Sequence, residues 1–131
     1  MKNVTITGNT APAGTGGAIR NVIGVTPANK QSNPLVQNSI LWGDNGGGGA
    51  DEVTSDGAGL TTILNSVVEN GCQPAGSSCT NVLATDPKLG TLANNGGFTQ
   101  TVSLGAGSSA IDAGDNATCA ATDQRGVVRP Q

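Results

Sequence analysis

The chain reads as all-β, and the fold class it predicts is a right-handed parallel β-helix (a β-solenoid) with an irregular C-terminal capping segment. Three observations carry that expectation. A short motif recurs at intervals of 35 and 27 residues, in Asn3-Val-Thr-Ile-Thr-Gly-Asn9, Asn38-Ser-Ile-Leu-Trp-Gly-Asp44 and Asn65-Ser-Val-Val-Glu-Asn-Gly71. Periods of this order mark stacked strand units before any single compact core. The composition suits strands joined by sharp turns, with 21 Gly among 131 residues and frequent Val, Ile and Thr. No segment sustains a 3.6-residue apolar period, so helix is a minor component at most.

Each copy of the motif opens on Asn, runs through β-prone residues and closes on Gly, Asn or Asp. Asn and Gly suit the turns because both tolerate left-handed backbone. The inward face is open from sequence alone. One register buries Val4 and Ile6, then Ser39 and Leu41, and leaves Ile40 and Trp42 outside. A shift of one residue reverses this, and a third option covers both faces. Further strand candidates are Ala18–Ile23, Pro34–Val36, Leu60–Leu64 and Asn81–Leu83, with loops expected at Thr10–Gly16 and Gly43–Gly59. Residues 1–85 are expected to form the β-helix coils with loop insertions. From Asp86-Pro87 the pattern loses its repeat, and residues 86–131 are expected to be an irregular tail packed on the last coils.

Composition also limits function. The formal net charge is −3, and a nucleic-acid partner would call for a basic patch. No run of about 18 apolar residues is present to span a bilayer. No signal peptide is visible after Met1-Lys2, so the signal and anchor of an exported protein are expected outside this chain. Cys72 and Cys79 enclose six residues and are expected to form a disulfide. Zinc is the alternative, but there is no His and three thiolates make no usual tetrahedral set. Cys119 is left over.

Asn3-Val-Thr-Ile-Thr-Gly-Asn-Thr-Ala11, Gly16-Gly-Ala-Ile19, Asn38-Ser-Ile-Leu-Trp42 and three tail phrases together resemble bacterial surface proteins of the choice-of-anchor Q type. The tail phrases are Leu89-Gly-Thr-Leu-Ala-Asn-Asn-Gly-Gly-Phe98, Gly107-Ser-Ser-Ala-Ile-Asp-Ala-Gly-Asp115 and Thr122-Asp-Gln-Arg-Gly126. These proteins are right-handed β-helices related in architecture to pectate-lyase-like folds and polymorphic outer-membrane repeats. The tail carries the specific part of the match, since many β-helices contain something like the repeat phrases. The resemblance implies the C-terminal portion of a longer protein, with more coils and a signal peptide upstream. It also implies a short cysteine-containing strand beyond Gln131, which would hold the partner of Cys119. A free thiol is the alternative.

The chemistry-bearing residues each have a structural reading. Asp112, Asp115 and Asp123 suggest the paired carboxylates of glycoside hydrolysis, but Asp in Gly-containing turns more often accepts backbone N–H bonds. They are expected to hold turns of the tail. Asp123 and Arg125 are expected to pair and pin the tail, against a second reading in which Arg125 binds a carboxylate such as an acidic sugar. Gly46–Thr54 fits one copy of a calcium-binding β-roll pattern whose carboxylate would be Asp51. Such sites bridge tandem copies and only one is present, so calcium is not expected and no cofactor is assigned. Lys30, Lys88, Arg20 and Arg129 form no recognisable lyase arrangement, and the Thr5/Thr7 pair of an ice-binding face does not recur. No catalytic residues are assigned.

The expected function is a non-catalytic structural or adhesin-like segment of an exported bacterial protein, extracellular or on the cell surface. Its expected partners are cell-surface glycans or host or neighbouring surface proteins. The alternative is the C-terminal part of a carbohydrate-active enzyme, a polysaccharide lyase or hydrolase relative, with its catalytic coils upstream. A third reading is a fragment that folds poorly alone for want of an N-terminal cap.

Overall fold

The computed structural model describes residues 1–13, 15–22, 32–47, 52–56 and 59–129. Among the described residues there are nine strands and no helix. They are β1 (Thr5–Thr7), β2 (Ile19–Val22), β3 (Leu35–Gln37), β4 (Ile40–Trp42), β5 (Val53–Asp56), β6 (Thr62–Val68), β7 (Ser78–Leu83), β8 (Leu89–Ala93) and β9 (Thr101–Leu104).

The all-β expectation holds, but the right-handed parallel β-helix does not. The strands fall into three small separate sheets with mixed directions, not a continuous solenoid. Five strands form a parallel sheet in which β1 pairs β4, β4 and β3 pair β6, and β7 pairs β6. β2 and β5 form a parallel pair, while β8 and β9 form an antiparallel one. The physical reason lies in two places. β6 is long enough to take β3 on Thr62–Leu64 and β4 on Val67–Val68, so two consecutive strands share one neighbour. After Leu83 the turns around Asn94–Gly97 reverse the chain, which closes a hairpin rather than another parallel crossover.

The motif intervals reappear as pairing offsets. Thr5 lies opposite Ile40, an offset of 35, and Ile40 opposite Val67, an offset of 27. The opening asparagines therefore stand in register. Asn3, Asn38 and Asn65 all take left-handed backbone, with φ of 55°, 49° and 48°, and Asn81 joins them at 53°. The fourth copy escaped the motif because its offset from Asn65 is 16 and Asn81–Leu83 reads as one more strand. Asn is suited to this bend because its short polar side chain lowers the left-handed penalty.

The serines that follow the bends at Asn38 and Asn65 explain the inward face. At a left-handed residue the ladder is interrupted, and a donor must find another acceptor. The Val4 amide donates to Ser39 Oγ at 3.3 Å and the Ser39 amide to Ser66 Oγ at 3.2 Å. Each hydroxyl in turn donates to a carbonyl two residues back, Ser39 to Gln37 and Ser66 to Leu64. Ser39 and Ser66 are thus buried without an orphaned donor. This selects the register with Leu41 inside. Leu41 lies beside Ile6 and Val68, and both Leu41 and Val68 are wholly buried.

The core lies where this sheet meets β2 and β5. Val36, Leu41, Val53, Ile63 and Val68 are buried together, with Ile6, Ala18, Ile19, Cys79 and Val82 packed against them. Burying side chains of this size contributes about 1.5–3 kcal/mol each. β5 falls within the stretch expected to be a loop. Its sequence Val-Thr-Ser-Asp carries one apolar residue, and it is the pairing with Ile19–Val22 that makes it a strand.

Candidate functional site at the tail seam

The other face of the parallel sheet is covered by the C-terminal tail. Val67 is buried although it alternates with inward Val68, and on this face it lines a cleft together with Ile40, Leu104, Ala110 and Ile111. The sheet therefore has cover on both sides, which is why no single alternation could be read from the motif.

Asn38 makes the seam. Its amide nitrogen donates to the Asp115 carbonyl at 3.0 Å, and its oxygen accepts the Asp115 amide at 2.9 Å. The Gln37 side chain donates to Thr118 Oγ1 at 3.0 Å. At the far end the pattern differs: Asn81 donates to Asn65 Oδ1 at 2.9 Å within the asparagine row. Ser109 Oγ adds a further stitch to the Thr85 carbonyl.

The tail residues singled out in the sequence have distinct positions. Asp115 accepts the Ala117 amide through Oδ1 and the Thr118 hydroxyl through Oδ2, so it organises the turn that meets Asn38. Asp123 accepts the Arg125 and Val127 amides through Oδ1, at 2.8 and 3.0 Å. Its Oδ2 takes the Arg125 guanidinium, at 2.8 Å from Nε and 2.7 Å from the terminal nitrogen. Desolvation is the largest single influence and raises the Asp123 carboxyl, but the Arg125 side chain and the two amides together outweigh it and hold it below the usual range. Arg125 is thereby tied to its own turn. Gly97 allows that turn to approach the β8–β9 loop. With φ +86°, a Cβ there would lie 2.7 Å from Arg125 Cα.

Asp112 behaves differently. It has left-handed backbone at φ 57°, is exposed, and its carboxylate has no hydrogen-bond partner among the described residues. It lines the cleft together with Asn3, Asn65, Asn116 and Arg129. This cleft has a volume of about 400 Å³, and a second hollow of about 1030 Å³ continues between β1, β4 and the β8–β9 hairpin. Arg129 lines both and is half-buried. Nothing in the sequence distinguished Arg129 from the other basic residues. It was the seam, formed by residues some 80 positions apart, that placed it.

Cys72 and Cys79 form a disulfide with a Cα–Cα distance of 5.9 Å, and Cys79 packs on the core. The bond fits an extracellular location. Cys119 is a free, half-buried thiol that lines the cleft. The Asp51 calcium candidate lies outside the described residues. Among the described residues no group of three or more His, Cys, Asp or Glu side chains could hold a metal ion. No helix among them is long and apolar enough to cross a membrane.

A second concentration of polar groups lies at the opposite end of the strands, and it includes Glu52 of the Gly46–Thr54 pattern. Asp44 Oδ1 accepts both the backbone and side-chain nitrogens of Asn9 at 2.7 Å. Glu52 Oε1 accepts the Asp44 amide, and Glu69 Oε2 accepts that of Gly43. Glu52 is wholly buried, and Glu52 Oε2 and Asp44 Oδ2 have no donor. Burial is the first cause that pushes the Glu52 carboxyl up to about 8; the Asp44 amide pulls against it, and the side chains of Asp44 and Glu69 raise it further. A protonated Glu52 supplies the hydrogen that two acceptor-only carboxylates lack. The group clasps the turn at Gly43–Asn45.

No family model, curated protein or solved structure matches this chain.

Proposed function

We propose that the chain is a non-catalytic structural or adhesin-like segment of an exported bacterial surface protein of the choice-of-anchor Q type. It would work outside the cell, at the cell surface, and meet glycans or neighbouring surface proteins. The observation that carries this reading is the fate of the tail's charged groups. Asp115, Asp123 and Arg125 are occupied by turn amides, a hydroxyl and each other. A general acid or base must be within reach of substrate and hold a matched pKa, and the Asp123 carboxyl is driven the wrong way for a proton donor. The disulfide supports export. The seam cleft supports contact with small polar ligands, because it combines an apolar floor with a few side chains free to hydrogen-bond.

The test is direct. The purified chain is incubated with a panel of neutral and acidic polysaccharides, and both product release and retention on the immobilised polysaccharides are measured. The reading expects no new reducing ends or unsaturated products, and saturable retention on at least one polysaccharide. Product release abolished by Asp112→Asn would overturn it in favour of a carbohydrate-active enzyme.

A further inference from the structure

Two ionic side chains in the seam cleft have no partner among the described residues, and they do not pair with each other. They are the guanidinium of Arg129 and the carboxylate of Asp112. The contrast with the rest of the molecule is informative. Arg20 pairs with Asp56, Arg125 pairs with Asp123, and Lys88 donates to the Ala106 carbonyl. Arg129 contributes its backbone amide to the Ala121 carbonyl, which fixes its Cα, yet its side chain is left for something else.

We propose that the seam cleft binds an acidic sugar, with the sugar carboxylate on Arg129. A planar guanidinium presents parallel N–H donors that match a carboxylate in a two-point contact. Asp112 is an acceptor-only group suited to sugar hydroxyls, and the amides of Asn3 and Asn116 offer both donors and acceptors at the same wall. Ile40 and Ile111 line the same cleft and supply apolar surface for the C–H face of the ring. A cleft of about 400 Å³ suits one or two sugar units. Asp123 also borders the cleft, but its oxygens are already filled by Arg125 and Val127, so its repulsion of an anion is blunted. The carboxylate-binding role that the sequence allowed for Arg125 thus falls to Arg129.

This rests on the non-catalytic surface reading and names the ligand class of that site. The probes are D-glucuronate, D-glucose and acetate, titrated into the ¹⁵N-labelled chain while amide chemical shifts are followed. Glucuronate should shift amides in Asp112–Asn116 and at Arg129, with a Kd at least tenfold below those of glucose and acetate. Arg129→Gln should erase that preference, Arg129→Lys should keep part of it, and Arg20→Gln, which lies outside the cleft lining, should keep it all. Arg129 is half-buried and its side chain makes no hydrogen bond or ion pair among the described residues, so the dispersed spectrum of the variants should be preserved. A wild-type chain that binds glucuronate no better than glucose, or an Arg129→Gln chain that keeps the preference, overturns the proposal. The former result, with retention on neutral polysaccharides intact, would leave the surface-binding reading standing.

Discussion

Residues 1–85 and 86–129 belong to one structure but are held by different forces. In the first region apolar side chains meet in register: Ile6 beside Leu41 beside Val68, and Val36 beside Ile63 beside Cys79. In the second, Leu92, Phe98, Ile111 and Val128 are exposed, and the segment is fastened by side chains that reach turn backbones. Hydrophobic burial is non-directional and scales with area, so the sheet tolerates variation in its turns. A hydrogen-bonded fastening is directional and contributes only about 0.5–1.5 kcal/mol per bond. The tail is therefore expected to come loose before the sheet unfolds.

The largest effect that can break this comparison is in the core. Leu41→Ala removes a wholly buried side chain between two neighbours. It should destabilise the chain by about 2–5 kcal/mol in denaturant unfolding. The same truncation at exposed Leu92 should cost less than about 1 kcal/mol. Equal costs would mean that the hairpin shares the core.

The next effect is electrostatic and belongs to the sheet region alone. Glu52 has an ordinary value of 4.5 and a folded value of about 8. Between these values the folded chain binds more protons than the unfolded chain, so stability falls as pH rises. The slope for one proton is at most about 1.4 kcal/mol per pH unit. Melting curves from pH 5 to 9 should show this decline, and Glu52→Gln should flatten it. A slope unchanged in Glu52→Gln would place the linked group elsewhere.

What could be read in the sequence divides along the same line. The motif copies at Asn3, Asn38 and Asn65 revealed pairing partners and their offsets, because repeated strand units leave repeated residues. β2, β3, β6 and β7 were visible as β-prone runs for the same reason. The number of sheets was not visible. A parallel offset does not say whether the next strand continues a coil or shares a neighbour, as β3 and β4 share β6. β5 was missed because its strand state comes from β2 rather than from its own composition. In the tail, Asp115 and Asp123 were legible as turn-holders since their bonds are local, within four residues. Asn38 and Arg129 were not, because their roles arise from contacts made across the whole chain. Glu52 was hidden too, since nothing in Gly-Ala-Asp-Glu-Val announces a buried acid.

The smallest change gives the most direct test of the central claim, that the tail is a separately fastened layer on the sheet. Asn38→Gly keeps the left-handed backbone that φ 49° requires but deletes the amide that binds Asp115 and Thr118. Native-state hydrogen exchange read residue by residue should show faster exchange at Ala117, Thr118 and Ser108, by about tenfold for ~1.4 kcal/mol lost. Exchange at Leu41, Ile63 and Val68 should stay unchanged. Equal acceleration in both regions would show one cooperative unit and contradict the account.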